Sequence, residues 1–354
     1  MGEDLGDKIR EKLQKDFAEF QTYLKDVTEN FFAVEEKPDI GSTPKELILE
    51  TDIFILYRYN GEAKKPVLIV TPMINGYYVL DLLPEISFIR YLCEQGYAPY
   101  LIRWKNLENY DKKITFDYYI TQGIRKAVQL IHAREKQNLI LIGHCLGGVQ
   151  ASTYLAYYQQ SYVDRYVSMN SPYDFERMGE VSRLTSKEMI DIDKIVDTLG
   201  NVPAEYMNMA FQFINSGMRF KAMMGIFHFY TNKEMIRVYK SLLQWREDNI
   251  DMPGEFARKF IRDFFQLNKF FNETLSIHKK KVSLTSIKIP VLNIISTYDD
   301  IAPVAACRAL GEKIAGVEEL ELPDGHLGIL IMKPVLNIEH LPFWEKILSW
   351  MQKP

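Results

Sequence analysis

The sequence predicts an α/β fold, with a mainly parallel β-sheet that carries helices on both faces and a helical insertion late in the chain. Short apolar runs rich in β-branched residues alternate with helical patterns, which is typical of βαβ units. Such apolar strands are expected where helices cover both faces of a parallel sheet. The alternation stops over residues 175–285, where helical patterns dominate.

Composition and charge limit the class of protein. Hydrophobic residues make up 47% of the 354 residues and charged residues 25%, which is typical of a globular chain with its own core. The net charge of −4 argues against nucleic acid as the main partner, because phosphate binding needs a concentrated basic surface. Cys93, Cys145 and Cys307 lack metal-ligand spacing, so neither structural zinc nor a disulfide framework is expected. The N-terminus does not resemble a signal peptide and no apolar run reaches about 18 residues, which predicts a cytoplasmic protein.

The first segment, residues 1–38, is predicted to form one amphipathic helix. Apolar side chains recur every three or four positions from Leu5 to Phe31, with Glu, Asp and Lys between them. Pro38 disfavours helix at the residue before it and ends the pattern. The apolar stripe either packs on the body of the protein or forms a surface for a partner subunit, a membrane or a hydrophobic particle, and the sequence leaves both open.

The sheet is predicted from two core segments, residues 39–174 and 286–354. Helical patterns lie between several of its strands, at Ser87–Gln95 and Tyr118–Glu135. The predicted strands are Leu47–Tyr57, Val67–Val70, Tyr97–Ile102, Asn138–Ile142, Val163–Met169, Val291–Ile295 and Leu320–Leu322.

Residues 175–285 are predicted to form a helical cap inserted between two strands. The segment holds nine of the fourteen methionines, together with many phenylalanines. Flexible apolar side chains suit a surface that adapts to its ligand, as in a lid over an apolar tunnel. They equally suit the insertion's own core, so both interpretations stay open.

The strongest local motif is Gly143–Gly148, GHCLGG, which lies between the apolar run Asn138–Ile142 and a helical stretch. This pattern is typical of a nucleophile elbow, the strand-to-helix turn of the α/β-hydrolase fold, with Cys145 in the nucleophile position. The glycines two residues either side avoid a clash in the tight turn, and the helix N-terminus favours a thiolate. The alternative is a buried structural cysteine. His144 is expected to point away from Cys145 if it continues the alternation of the strand.

Two backbone donors are predicted for an oxyanion hole. The N–H of Leu146, directly after the nucleophile, points to the same place as the thiol. The second donor is expected from the loop 71–76, which follows the strand Val67–Val70, and we expect it near Ile74.

A carboxylate and a histidine should follow the elbow in that order. Asp299 and Asp300 lie in a turn after the strand Val291–Ile295, and either can be the acid. His326 lies in a glycine-containing loop after the last predicted strand, and by position it is the only good candidate among the six histidines. His326 would then deprotonate Cys145, while the carboxylate holds the imidazole in the right tautomer.

A cysteine nucleophile beside an oxyanion hole predicts acyl transfer. Thiolate attack on a thioester is nearly thermoneutral, so CoA esters are natural donors, whereas the pattern does not choose between water and an alcohol as acceptor. No metal or organic cofactor is expected. His and acidic residues do not cluster at ligand spacing, and no glycine-rich nucleotide motif follows a strand.

The motifs resemble those of the polyhydroxyalkanoate synthases, acyltransferases that polymerise (R)-3-hydroxyacyl-CoA. GHCLGG matches the family's G-x-C-x-G-G box, and the similarity continues in collinear order over about residues 45–350. The resemblance implies that Cys145 carries the acyl chain, that Asp299 is the carboxylate and that His326 is the base. In the family the carboxylate is also proposed to activate the 3-hydroxyl group. The other matching segments are Val67–Asn106, Gln244–Pro253, Phe265–Leu275, Ile289–Pro303 and Gly325–His326.

The sequence departs from the family pattern at two positions. Asp300 stands where the family commonly has His, and Arg246 stands where its cap motif often has Asn. The short region before the core resembles the synthases that work with a separate helical subunit. The resemblance implies such a subunit, a homodimer formed through the cap and a cytoplasmic location at polyester granules. The alternatives are a thioesterase or other hydrolase of the same fold and a non-catalytic granule-associated protein.

Overall fold

The computed structural model describes residues 2–33, 39–61, 64–214, 231–328 and 342–353. Its strands are β1 (Lys45–Glu50), β2 (Phe54–Tyr59), β3 (Pro66–Val70), β4 (Ala98–Trp104), β5 (Leu139–His144), β6 (Val163–Met169), β7 (Ser276–Ile277), β8 (Lys280–Lys281), β9 (Val291–Ser296) and β10 (Glu318–Leu322). Eight of them form one sheet in the order β1-β2-β4-β3-β5-β6-β9-β10, and β7 and β8 form a separate hairpin.

The sheet confirms the predicted α/β architecture. Only β2 runs against the common strand direction, because it pairs antiparallel with both β1 and β4, and all other pairs are parallel. The central strands β3 and β5 are buried at every position, which explains their unbroken apolar sequences. The edge strand β1 is partly exposed along its length.

The prediction of a single strand over Leu47–Tyr57 is wrong. The Thr51 hydroxyl accepts a hydrogen bond from the N–H of Phe54 (3.1 Å), and the Thr51 N–H donates to the Phe54 carbonyl (2.9 Å). These two bonds close a tight turn around Asp52, so the apolar run folds into the antiparallel pair β1 and β2. The sheet gains an edge hairpin that strand propensity alone does not reveal.

The helices lie on both faces of the sheet. Ser87 caps α2 by accepting a hydrogen bond from the N–H of Arg90 (2.9 Å). A π-helical stretch, Tyr119–Ile124, joins α3 to α4. The helices are α1 (Gly2–Ala33), α2 (Phe88–Glu94), α3 (Phe116–Tyr118), α4 (Arg125–Glu135), α5 (Leu146–Tyr158), α6 (Glu180–Leu184), α7 (Ile192–Leu199), α8 (Ala204–Ile214), α9 (Lys233–Glu247), α10 (Gly254–Lys259), α11 (Val304–Lys313) and α12 (Pro342–Met351).

The core consists of two apolar layers, one on each face of the sheet. Along β3, Leu68 and Val70 belong to one layer and Val67 and Ile69 to the other, as the two-residue period of a strand requires. The first layer includes side chains of α4, α5 and α10, and the second includes those of α2 and α12. The sheet is therefore covered on both sides.

The largely helical segment between β6 and β9 packs directly on the first layer. Phe256 and the π-helical stretch Phe260–Gln266 that follows α10 contact Phe116, with ring centroids of Phe256 and Phe264 at 5.2 and 4.9 Å from it. This part of the insertion shares the main core. A lid function, and domain boundaries at residues 38, 174 and 285, stay predictions. Residues 215–230, within the segment rich in Met and Phe, lie outside the described residues.

The N-terminal helix α1 agrees with the predicted element, except that residue 1 and residues 34–38 lie outside the described residues. Near its end, Val27 is buried and the Phe31 ring lies 4.7 Å from the Lys240 Nζ of α9. Earlier on the same stripe Phe17 and Phe20 are 61% and 54% exposed. Within the described parts of the chain, no helix combines the length and the apolar character that a membrane span requires.

Candidate active site

Cys145 lies between β5 and α5, at the carboxyl edge of the sheet. Its φ of 53° and ψ of −126° place the backbone in a region that residues other than glycine rarely adopt. The Cys145 N–H donates to the Met169 carbonyl of β6 (2.9 Å), and its carbonyl accepts from the N–H of Gly148 (2.9 Å). These bonds hold the half-buried thiol at the start of α5, as expected for a strained strand-to-helix turn.

The neighbouring glycines allow the close approach that this turn needs. A Cβ atom on Gly147 would lie 2.0 Å from the Val70 carbonyl oxygen of β3. A Cβ atom on Gly143 would lie 2.4 Å from the Cα of Gly148. Both contacts are with backbone atoms, which cannot rotate away, so the packing of α5 on the sheet depends on the missing side chains.

The two candidate acids have different surroundings. Asp299 is buried, and its Oδ2 lies 2.6 Å from the Nδ1 of His326. Its other oxygen, Oδ1, accepts from the N–H groups of Ile301 and Ala302 at 2.8 Å each. Asp300 is exposed. The structure therefore places Asp299, and not Asp300, against the candidate base.

His326 is buried, its Nδ1 is hydrogen-bonded to Asp299, and the Cys145 sulfur is near enough to act on its charge. Burial disfavours the imidazolium, but the facing Asp299 carboxylate and Cys145 sulfur outweigh it and hold the pKa of His326 well above its usual range. Since Nδ1 binds Asp299, the other ring nitrogen is the one left to act on the thiol. This arrangement can move a proton between Cys145 and a reacting group.

The predicted oxyanion donors lie beside the turn. Leu146 is the first residue of α5, and the loop 71–76 adjoins the elbow because Gly147 lies against Val70 and Thr71. Ile74 is 8% exposed. The oxyanion roles of the Leu146 and Ile74 N–H groups stay predictions.

The loop 71–76 is hydrogen-bonded to the end of α9 and to the residues that follow it. The Trp245 indole N–H donates to the Gly76 carbonyl (2.7 Å), and the Ile250 N–H donates to the Ile74 carbonyl (2.9 Å). The side-chain N–H of Asn75 donates a hydrogen bond to the side-chain oxygen of Asn249. The insertion thus sets the position of the loop that is expected to supply the second donor.

Sequence reasoning did not foresee that His144 lies beside the candidate base. Its buried ring lies 5.5 Å from that of His326, centroid to centroid. That His144 points away from Cys145 stays a prediction. Neither ring nitrogen of His144 has a hydrogen-bond partner among the described residues. Burial, with a smaller effect of His326, lowers the pKa of His144 to about 3, so this ring is neutral near pH 7.

Asn170 is a second residue that sequence reasoning missed. It directly follows β6, is completely buried and donates to the His326 carbonyl (2.8 Å). A signal was present, because Asn170 is a polar residue at the carboxyl end of a predicted parallel strand. Its partners, however, follow two other strands, and the sequence does not say which strand ends meet.

Comparisons with known proteins agree with the fold. Residues 119–331 match the family model described as alpha/beta hydrolase fold. Residues 2–92 match the model of the poly-beta-hydroxybutyrate polymerase (PhaC) N-terminus. An alpha/beta fold family hydrolase from Bacillus anthracis superposes with a TM-score of 0.50 at 13% identity, covering 86% of this chain and 98% of that one, which supports the fold alone.

Two curated relatives are poly(3-hydroxyalkanoate) polymerase subunits PhaC. The protein from Allochromatium vinosum is 31% identical over an alignment of 336 positions that covers 91% of this chain and 92% of the relative. The protein from Haloarcula marismortui is 29% identical over 89% of this chain and 69% of its own, longer chain. This chain therefore belongs to the poly(3-hydroxyalkanoate) polymerase family within the α/β-hydrolase fold.

Proposed function

We propose that this chain is an acyltransferase that polymerises (R)-3-hydroxyacyl-CoA into polyhydroxyalkanoate and releases CoA. The observation that carries the proposal is the hydrogen-bonded pair Asp299 and His326, which lies beside Cys145 at the carboxyl edge of the sheet. It occurs in a member of a polymerase family and it places a base held by a buried carboxylate beside a nucleophile.

In the first step Cys145 attacks the thioester carbonyl of the acyl-CoA. His326 takes the thiol proton on its other ring nitrogen, while Asp299 holds Nδ1 and stabilises the imidazolium. The carbonyl oxygen becomes an oxyanion, which the N–H groups of Leu146 and Ile74 stabilise in this proposal. The bond from carbon to the CoA sulfur then breaks, and the leaving thiolate takes the proton from His326.

In the second step the 3-hydroxyl group of another monomer or of the growing chain attacks the Cys145 thioester. His326 accepts the hydroxyl proton as the new ester bond forms, and the thiolate of Cys145 leaves. The two steps exchange a thioester for an ester without net gain or loss of protons or electrons. They use acyl-CoA as substrate and no cofactor.

Water would divert the acyl-enzyme to free hydroxy acid, so the acceptor site needs to be dry. The insertion is suited to excluding water, because the end of α9 is hydrogen-bonded to the loop 71–76 beside the elbow. We propose that the insertion covers the acyl chain and favours the hydroxyl acceptor. Hydrolysis is the competing outcome.

We further propose that α1 contacts the polyester granule in the cytoplasm. Val27 is buried, whereas Phe17, Phe20 and Leu24 continue the same stripe in exposed positions. A helix with such a stripe can lie on an apolar surface. A separate helical subunit and a homodimer formed through the cap are the other partners proposed for this chain.

The test is incubation of the purified chain with (R)-3-hydroxybutyryl-CoA, followed by measurement of CoA release and identification of the acyl product. Polymer formation is expected, and Cys145→Ala should abolish both CoA release and polymer. Cys93→Ala is the matched control, because burial raises the pKa of this half-buried thiol to about 11 and it lies outside the site. Free hydroxy acid as the only product, or polymer formed by Cys145→Ala, would contradict the proposal.

A further inference from the structure

A buried amide at the carboxyl end of β6 has no part in the mechanism described so far. Asn170 is 0% exposed and has a φ of 48°, in the left-handed region that Asn tolerates better than most residues. A fully buried polar side chain needs partners, since leaving its hydrogen bonds unmade costs about 1–3 kcal/mol.

The amide is satisfied by two segments that are distant in sequence. Its Nδ2 donates to the His326 carbonyl (2.8 Å) and to the Ser296 hydroxyl (2.9 Å), and its Oδ1 accepts from the Ser296 N–H (2.9 Å). The orientation of the amide is unambiguous, because the carbonyl can only accept and the backbone N–H can only donate.

These contacts join the three segments that carry the site. Ser296 ends β9, three residues before Asp299, and His326 follows β10. The carbonyl of Met169, the residue before Asn170, accepts a hydrogen bond from the N–H of Cys145 (2.9 Å). Consecutive residues at the end of β6 therefore hold the backbone of the nucleophile and the backbone of the base.

We propose that Asn170 is a positioning residue that keeps the His326 imidazole between Asp299 and Cys145. The inference rests on the roles proposed above for Cys145 and His326. Without the amide, the His326 carbonyl loses its hydrogen bond to the end of β6. The loop that carries His326 can then shift, which moves the imidazole away from the thiol. Supporting hydrogen bonds of this kind contribute roughly 10–100-fold to activity, and a displacement of about 1 Å costs a similar factor.

Asn170→Gly is the sharpest variant, because glycine adopts a φ of 48° freely and loses only the amide. Asn201→Gly is a matched control. Asn201 is 8% exposed, and its amide likewise joins two backbone segments, donating to Leu107 (2.6 Å) and accepting from Gly254 (3.1 Å), but it lies in the insertion.

The readout is the rate at which iodoacetamide alkylates Cys145 between about pH 5.5 and 8.5, without acyl-CoA. The other thiols interfere little, since burial raises the pKa of Cys93 to about 11 and that of Cys307 well above its usual range. The profile of the wild-type chain, in which His326 lies beside the thiol, is the reference for a correctly positioned base.

Asn170→Gly should react at least about 10-fold more slowly at pH 6, and its kcat for CoA release should fall about 10–100-fold with KM within about twofold. Asn201→Gly should keep the wild-type alkylation profile. A purely structural role of Asn170 would lower only the melting temperature, so a folded Asn170→Gly with a wild-type profile and kcat overturns the inference.

A second variant covers the case in which Asn170→Gly does not fold. Asn170→Asp keeps an acceptor for the Ser296 N–H but turns an oxygen towards the His326 carbonyl, so the same slower alkylation is expected. Wild-type alkylation in this variant would also overturn the inference. Wild-type alkylation in His326→Gln would instead overturn the proposed pairing of Cys145 with His326, and the inference with it.

Discussion

At the scale of single residues, Asp299 and Asp300 are neighbours with opposite environments. Asp299→Asn keeps the Oδ1 that accepts from Ile301 and Ala302 but loses the charge that stabilises the imidazolium. Its kcat for CoA release should fall roughly 10²–10⁴-fold, as for other triad acids. Asp300→Asn is the matched control and should stay within about threefold of wild type, since Asp300 is exposed. A larger effect at Asp300 would reassign the acid.

His144 should make the fold sensitive to acid. Its pKa is about 3 in the folded chain and about 6.5 in the unfolded chain, so between these values only the unfolded state binds the proton. The free energy of unfolding should therefore fall as the pH drops below about 6.5, by about 2 kcal/mol at pH 5 from this group. Urea unfolding measures this, and in His144→Phe the free energy of unfolding should decrease less between pH 7.5 and pH 5, by about that amount. An equal loss in both chains would contradict a buried neutral ring.

At the scale of elements, the approach of α5 to β3 depends on Gly147. The Cβ of Gly147→Ala would meet the Val70 carbonyl oxygen at 2.0 Å, so the helix and strand must separate. Destabilisation of about 1–3 kcal/mol is expected, with loss of acylation because the elbow moves. Gly311→Ala is the control in α11, where the nearest atom is a Glu319 carboxylate oxygen at 3.3 Å, and it should stabilise the chain by up to about 1 kcal/mol. Thermal denaturation measures both, and equal melting temperatures would contradict the packing argument.

At the scale of the whole molecule, the exposed stripe of α1 is expected to hold the protein on the polymer. Phe17→Ser with Phe20→Ser removes two exposed rings and should weaken binding to polyhydroxybutyrate particles at least about 10-fold, measured by co-sedimentation. Acylation of Cys145 by soluble substrate should not change. Phe32→Ser is the control, because this ring is 71% exposed but lies off the stripe. Equal losses of particle binding in both variants would indicate non-specific hydrophobic adsorption rather than a docking face.

The sequence predicted the buried strands, the elbow and His326 because each depends on a local pattern of apolar runs or glycines. It missed the hairpin in Leu47–Tyr57, where a turn at Thr51 divides a run rich in β-branched and aromatic residues. Asp299 could not be separated from Asp300 by spacing. The positions of His144 and Asn170 depend on which strand ends meet, which is set by the tertiary fold.

The most direct test of the central claim is mass spectrometry of the intact chain, with peptide mapping, after a brief reaction with (R)-3-hydroxybutyryl-CoA. The account predicts that the added acyl mass lies on the peptide containing Cys145 and that it is absent from Cys145→Ala. It also predicts that His326→Gln acylates far more slowly, since the base no longer accepts the thiol proton. Polymer formation without any acyl group on Cys145, or an acyl group on another residue, would contradict the account.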